Sequence, residues 1–158
     1  MASKQTALIL HNIRSNYNVG SIFRTADAVG VDKIYLTGYT PTPLDKFGRE
    51  VKEIAKTALG AQIYIKWEKA KNVKKVIDDL KKSGFLVVAV EQTKNSVDYK
   101  KVKVKEKTAF MFGNEITGIE KSVLSICDMV AEIPMRGGKE SLNVSVSAGI
   151  ALFRILNI

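Results

Sequence analysis

The sequence predicts one α/β domain, a mainly parallel sheet flanked by helices. Short apolar runs of strand length alternate with helical segments along the whole chain. Two of these runs, residues 85–90 (FLVVAV) and 108–112 (TAFMF), are almost continuously apolar, which is typical of strands buried on both faces of a sheet. At 158 residues, the chain has the length of one domain with a sizeable core.

The first strand is predicted at residues 6–10, and a helix follows it. Asn16 and Asn18 are candidate caps for that helix, which extends to about Val29. Its apolar residues share one stripe, and Arg24 lies on the opposite side. Arg24 is either a solvated arginine or a functional group that faces away from the core of its own helix.

A second strand, Lys33–Thr37, is followed by a loop that is long for a compact domain. Loops of this length are candidate lids or binding loops. The next elements, in order, are a helix at residues 50–59 that Gly60 ends, an edge strand at residues 63–67, an amphipathic helix at residues 72–83, the strand at residues 85–90 and an irregular basic segment at residues 94–107.

After the strand at residues 108–112, a short helix is expected at residues 120–126 and a strand at residues 130–133. The last helix is predicted at residues 143–153, where no residue is charged, with Ser141 or Asn143 as its cap. Because apolar and small residues lie on every side of it, it must be buried all round, by its own domain or by a second subunit.

Two further expectations concern this last helix. Gly149 in its interior predicts that another group packs close to the backbone there. The free N–H groups at its start suit an anionic or carboxylate-bearing ligand, although Ser141 and Asn143 are equally common as simple caps.

Composition restricts the class of function. The net charge of +9 favours a polyanionic partner, nucleic acid first and an acidic membrane surface second. Cys127 and His11 are the only residues of their types, so neither an internal disulfide nor a Cys/His zinc site is expected. With no apolar stretch of membrane-spanning length and no signal peptide, we expect a cytoplasmic protein with no metal and no membrane partner.

Ligands of open parallel sheets bind beyond the carboxyl ends of the strands. Three such ends carry unusual residues, at positions 90–92, 112–115 and 133–135, and we expect them to converge on one crevice. A dinucleotide site is excluded because the first turn offers only Gly20 where three glycines are required. A phosphate loop is excluded because Glu140 stands where a hydroxyl should follow Gly138 and Lys139.

Three segments carry a more specific resemblance. They are residues 18–27 (NVGSIFRTAD), residues 112–118 (FGNEITG), and residues 133–135 (IPM) with 141–146 (SLNVSV). In order and spacing they resemble the three motifs of SpoU-type (TrmH-like) RNA 2′-O-ribose methyltransferases of the SPOUT superfamily, over nearly the whole chain.

The resemblance implies a deep C-terminal trefoil knot and S-adenosylmethionine as cofactor. It also implies a homodimer with composite active sites and a structured RNA as substrate, with tRNA favoured over rRNA. Residues 1–158 would form a single SPOUT methyltransferase domain without an extra RNA-binding domain. The cofactor contacts of the family, largely backbone, correspond to Gly113, Ile133 and Leu142, with Glu91 as a fourth.

The resemblance also assigns catalytic positions. Arg24 would act as base with help from the RNA phosphate, as a bidentate phosphate clamp, or as both. Asn18 would orient Arg24 or the ribose. Glu115 would hold the knot loop and the arginine, unless it only stabilises the start of the next helix. Ser141 and Asn143 would fix the helix start beside the reacting centre.

Two other classes of function compete with this one. A nucleotide-using metabolic enzyme is disfavoured by the missing phosphate loop. A non-catalytic RNA-binding module would need only lysine contacts to phosphate, for which the candidates are Lys66, Lys69, Lys100, Lys101, Lys103 and Lys105. Such a module would have no need of Arg24, Glu115, Ser141 and Asn143.

Overall fold

The structure, a computed structural model, describes residues 4–158. The strands are β1 Gln5–His11, β2 Lys33–Thr37, β3 Lys66–Ala70, β4 Leu86–Val90, β5 Val97–Asp98, β6 Lys107–Phe112 and β7 Met129–Glu132. They form one sheet that is parallel throughout, with the strand order β3-β2-β1-β6-β4-β7-β5. The predicted α/β class with a parallel sheet is therefore confirmed.

The helices are α1 Asn16–Val29, α2 Lys52–Ala58, α3 Ala61–Tyr64, α4 Val73–Lys82, α5 Lys121–Leu124 and α6 Val144–Leu156. They cover both faces of this sheet because successive side chains of each strand point to opposite faces. Leu8 and Leu10 of β1 pack on one face, against α1, α2, α3 and α6. Ala7 and Ile9 pack on the other face, against α4 and α5.

The two nearly continuous apolar runs are the adjacent strands β4 and β6, near the middle of the sheet. Strand β6 also pairs with β1 over six residue pairs, from Gln5 and Lys107 to Leu10 and Phe112. Ile9 and Phe110 are wholly buried, so burial on both faces is confirmed for this part of the sheet.

Ser15 is the N-cap residue of α1, whereas the sequence suggested Asn16 or Asn18 as the cap. The Ser15 hydroxyl oxygen accepts a hydrogen bond from the Asn18 N–H at 3.2 Å. Asn16 and Asn18 both lie inside the helix, so the prediction of the cap was wrong by one residue or more. A serine before two asparagines offers three chemically similar caps, and only the backbone path selects one of them.

The segment predicted as an edge strand at residues 63–67 is partly helical. Leu59 and Gly60 both have positive φ angles, 51° and 94°, and the chain turns there into α3. Strand β3 starts only at Lys66. The alternation of apolar and polar residues in this segment was therefore misleading. Within the basic segment at residues 94–107, β5 has two residues, too few to show a periodic pattern.

Helix α6 is buried on one side only. Asn143 caps it, its side-chain oxygen accepting a hydrogen bond from Ser145 N–H at 2.8 Å, while Ser141 takes no part in the cap. The side formed by Val144, Ala148, Ala151 and Ile155 is buried, and that formed by Val146, Ile150 and Phe153 is exposed. Burial all round by the chain's own domain is thus wrong.

The expected close contact at Gly149 is also not made by this chain. A Cβ added at Gly149 would have no atom within 4 Å. Within residues 4–158, every helix is too short or too polar to span a lipid bilayer.

Helices α1 and α2 approach each other closely at Gly20. A Cβ there would lie 2.0 Å from the Thr57 hydroxyl oxygen and 2.3 Å from the Ile54 carbonyl oxygen. We expect Gly20→Ala to lower the free energy of unfolding by about 1–3 kcal/mol, because the helices must separate. Urea unfolding checks this, with Ser21→Ala as the control. Equal stability of the two variants would contradict the close approach.

Candidate functional site

A cavity of about 200 Å³ lies at the carboxyl ends of β4, β6 and β7. The three strand ends named from the sequence line it together, so their convergence on one crevice is confirmed. The lining residues are Val90, Glu91, Gln92, Phe112, Gly113, Asn114, Glu115, Ile116, Thr117, Gly118, Ile133, Met135, Ser141, Leu142, Val144 and Ser147.

All four residues assigned to the cofactor, Glu91, Gly113, Ile133 and Leu142, line this cavity. Gly113 admits no side chain, since a Cβ would lie 2.4 Å from a side-chain carbon of Ile119. The chain can therefore follow this path only with glycine at position 113.

The Glu91 carboxylate fastens the turn that follows β6 to the end of β4. One oxygen accepts a hydrogen bond from Ile119 N–H at 3.1 Å, and the other accepts one from Gln92 N–H at 2.9 Å. Gly118 has a φ of 68°, and a Cβ there would lie 2.3 Å from the same carboxylate. Glu91 therefore shapes the cavity wall, and its oxygens keep acceptor capacity for a ligand.

Asn114 is a structural centre of the site that the sequence reasoning missed. Its side-chain oxygen accepts hydrogen bonds from the N–H groups of Ile116 and Thr117 at 2.9 and 2.8 Å. Its NH₂ group donates to the Asn12 carbonyl and the Tyr39 hydroxyl, both at 2.9 Å. An asparagine that follows a buried strand and precedes a glycine by four residues is a typical turn former, and this was the available signal.

A polar network joins three predicted catalytic residues beside the cavity. Asn18 donates a hydrogen bond to the Glu115 carboxylate at 3.1 Å, and Asn143 donates one to the Asn18 side-chain oxygen at 3.2 Å. Glu115 also accepts from the backbone N–H groups of Arg14 and Ser15, each at 3.1 Å. The structure thus brings together residues far apart in the sequence.

These bonds place Glu115 at the start of α1 rather than at the start of the helix that follows it, α5. Partial burial raises the pKa of this carboxyl group. Hydrogen bonds from the backbone of Arg14, Glu115 and Ser15 and from the Asn18 side chain together lower the pKa by more than burial raises it. The net pKa of Glu115 lies below its ordinary value. The group is therefore an anion at neutral pH, as a hydrogen-bond acceptor at a helix start should be.

Ser141 lines the cavity and is exposed at its rim. Asn18 and Asn143 reach the cavity only through their network with Glu115, whereas Arg24 neither lines the cavity nor joins that network. It is exposed on α1, and among residues 4–158 its guanidinium takes part in none of the ion pairs. Over the same residues, no cluster of three or more His, Cys, Asp or Glu side chains could hold a metal ion.

Comparison with known proteins gives consistent matches. A model of the SpoU rRNA Methylase family matches residues 5–153. A Staphylococcus aureus (strain COL) protein, assigned by its name to the TrmH family of tRNA/rRNA methyltransferases, is 34% identical over 150 residues. That match covers 95% of this chain and 58% of the relative, so the chain spans little more than half the length of the curated relatives it matches.

Two solved structures are similar in fold and sequence. An AdoMet-bound rRNA methyltransferase from Sinorhizobium meliloti superposes with a TM-score of 0.88 at 29% identity, over 98% of this chain and 57% of that one. A TrmH/SpoU tRNA modifying enzyme from A. aeolicus superposes with a TM-score of 0.85 at 30% identity, over 98% and 75% of the two chains.

The lowered pKa of Glu115 predicts that the difference in stability between wild type and Glu115→Gln depends on pH. Because the folded state lowers this pKa below the ordinary 4.5, the stabilisation by Glu115 is complete above that value and is lost as the pH falls through the folded pKa. We expect Glu115→Gln to lower the free energy of unfolding by about 1 kcal/mol at neutral pH, a value that allows for solvent screening of this partly exposed group. The difference from wild type should shrink below pH 4.5.

Urea unfolding over a pH series measures this difference. Glu106→Gln, which replaces an exposed glutamate, is the matched control and should show no such dependence. A Glu115→Gln deficit that stays constant down to low pH would contradict the assigned role.

Proposed function

This chain belongs to the SpoU rRNA methylase family, and on that basis we propose that it transfers a methyl group from S-adenosylmethionine to a ribose 2′-hydroxyl of an RNA. The family match confirms the resemblance seen in the three motifs. One structural observation supports the proposal most: the cavity lined by Gly113, Ile133 and Leu142 adjoins the polar network of Asn18 and Glu115.

The chemistry of the cavity fits this cofactor. Ile133 and Leu142 offer apolar surface for a flat purine ring, and the remaining acceptor capacity of Glu91 suits hydroxyl groups of a ribose. When bound, S-adenosylmethionine would supply a methyl group on a sulfonium: the ribose 2′-oxygen would bond to the methyl carbon as the carbon–sulfur bond breaks, and a neutral thioether would leave.

The work left to the protein is positioning and removal of the hydroxyl proton. Arginine is almost wholly protonated at neutral pH, so we assign Arg24 first to a bidentate contact with the RNA phosphate. That contact would place the 2′-hydroxyl and let the phosphate take part in accepting its proton. Asn18 is held from both sides, by Glu115 and Asn143, and would orient the ribose or the arginine.

We further propose a homodimer whose active sites combine residues of both chains. Helices α1 and α6 pack together, and the exposed apolar side of α6 is formed by Val146, Ile150 and Phe153. A second copy would cover this side, and the open space at Gly149 permits its close approach. Arg24 would then act at the cavity of the partner subunit.

Two features of chain path support the proposed trefoil knot. The chain leaves β6 in the middle of the sheet and passes over β4 to form β7. It then returns to pack α6 against α1. Residues 1–158 would act as one methyltransferase domain, and we propose tRNA before rRNA as substrate, as the motif resemblance implies.

Arg24→Ala should abolish most methyl transfer without affecting folding. We expect a loss of about 100-fold or more in transfer of labelled methyl to RNA, because the ribose is no longer positioned. Cofactor affinity and urea unfolding should not change, since Arg24 is exposed. Arg24→Lys should recover part of the rate if charge suffices and little if the bidentate contact is required.

The assay uses total tRNA and ribosomal RNA as separate substrates, and Asp27→Ala on the same helix is the control. Full activity of Arg24→Ala would remove the proposed role. A wild-type protein that binds RNA and transfers no methyl group to either RNA would support the non-catalytic module instead.

A charged residue introduced into the proposed interface tests the dimer. Ile150→Asp should give a monomer in sedimentation, because an unpaired carboxylate would be buried between the copies. Lys74→Asp, at an exposed residue of α4 on the opposite face of the sheet, should leave the dimer intact.

Composite sites predict complementation between two inactive variants. Arg24→Ala co-expressed with Leu142→Arg, which fills the cavity, should recover about a quarter of the wild-type rate, since half of the dimers regain one intact site. No recovery would indicate that Arg24 acts within its own chain.

A further inference from the structure

The loop at residues 38–51 leaves the sheet at the carboxyl end of β2, the same edge at which the cavity lies. Its base is attached to the site. The Tyr39 hydroxyl accepts a hydrogen bond from Asn114 at 2.9 Å, and the Thr40 hydroxyl accepts one from Ile13 N–H at 3.1 Å. The base of the loop therefore keeps a fixed position relative to the cavity.

Lys69 holds the base of this loop from the neighbouring strand. Its ammonium group donates hydrogen bonds to the carbonyl oxygens of Gly38 and Thr40, at 2.6 and 2.7 Å. Partial burial lowers the pKa of Lys69. Although the sequence made Lys69 a candidate phosphate contact, its three donors are largely engaged inside the protein, and RNA contacts must come from other residues.

The tip of the loop is a preorganised turn. The Asp45 carboxylate accepts hydrogen bonds from Phe47 N–H at 2.8 Å and from Arg49 N–H at 2.9 Å. It also accepts one from the Arg49 guanidinium at 2.8 Å, and Gly48 supplies the positive φ of 75° that closes the turn. The turn fixes the backbone on both sides of Phe47.

Phe47 is presented by this turn to solvent, with 68% of its surface exposed. Two cations lie against its ring. The Arg49 guanidinium carbon is 4.9 Å from the ring centroid and the Lys46 ammonium is 5.0 Å from it. An open aromatic surface flanked by two cations has the two features that proteins use for single-stranded nucleic acid, a stacking surface for a base and charges for the phosphates.

We propose that Lys46, Phe47 and Arg49 form a stacking site for an unpaired nucleobase of the RNA substrate. This inference rests on the proposed function, and it names the substrate class more narrowly. The base stacks on the Phe47 ring and the guanidinium, and the two cations contact its flanking phosphates. The net charge of +9 adds long-range attraction for the same partner.

The stacking site implies a single-stranded or looped target. A base paired inside an RNA duplex cannot expose its face to a side chain, so the substrate must have an unstacked base. Stacking is tolerant of base identity, and the site therefore selects RNA shape rather than sequence.

A binding experiment tests the stacking site without a methyl donor. The probes are a single-stranded RNA of about 12 nucleotides that carries 2-aminopurine, and the same sequence in a full duplex. Phe47→Ala should lower the affinity for the single strand by on the order of tenfold and remove the 2-aminopurine quenching. Affinity for the duplex should not change, and Phe47→Tyr should behave as wild type.

Tyr64→Ala is the matched control. Tyr64 is 76% exposed, and because it precedes β3 in a parallel sheet, it lies toward the edge opposite the cavity. Unchanged single-strand affinity in Phe47→Ala, an equal loss in Tyr64→Ala, or no single-strand binding by the wild type would each overturn the stacking site.

Methyl transfer is measured separately on the same proteins. Phe47-dependent binding in a protein that transfers no methyl group would keep the stacking site and remove the proposed activity. Normal methyl transfer by a protein whose RNA binding does not depend on Phe47 would remove the stacking site and keep the proposed activity.

Discussion

The Glu115 carboxylate is the contact on which the arrangement of the site depends. It follows the central strand β6, yet its hydrogen-bond donors belong to the start of α1, and through Asn18 it reaches Asn143 at the start of α6. Hydrogen bonds to an ionised acceptor are stronger than neutral ones. One partly buried anion therefore sets how two helices meet at the edge of the cavity.

The parallel sheet explains why the chemistry gathers at that edge. Its central strands are covered on both faces by helices, so polar side chains have room only where the strands end. Glu91 and Asn114 use this position to satisfy backbone N–H groups of the turn between β6 and α5. The turn that forms part of the cavity wall is thus held by these two side chains.

Helix α6 has one side in the core of the domain and one exposed apolar side. Its inner side completes the core of the domain, while Val146, Ile150 and Phe153 remain exposed in the single chain. Arg24 is likewise exposed, on the helix that packs against α6. Under the proposed dimer, a single contact between two copies would bury this side of α6 and bring Arg24 to the cavity of the partner subunit.

Burial within single elements was readable from the sequence, because continuous apolar runs and amphipathic stripes record it locally. They located β2, β4, β6, α4 and α6 closely, and the motifs located the residues that line the cavity. Tertiary structure alone decided the Ser15 cap, the α3 turn before β3, the role of Asn114 and the attachment of Glu115 to α1. These depend on hydrogen bonds such as that from Asn18 to Glu115, which spans 97 positions. A local pattern records which side of an element is buried, but the partner of a polar group exists only once distant segments have packed together.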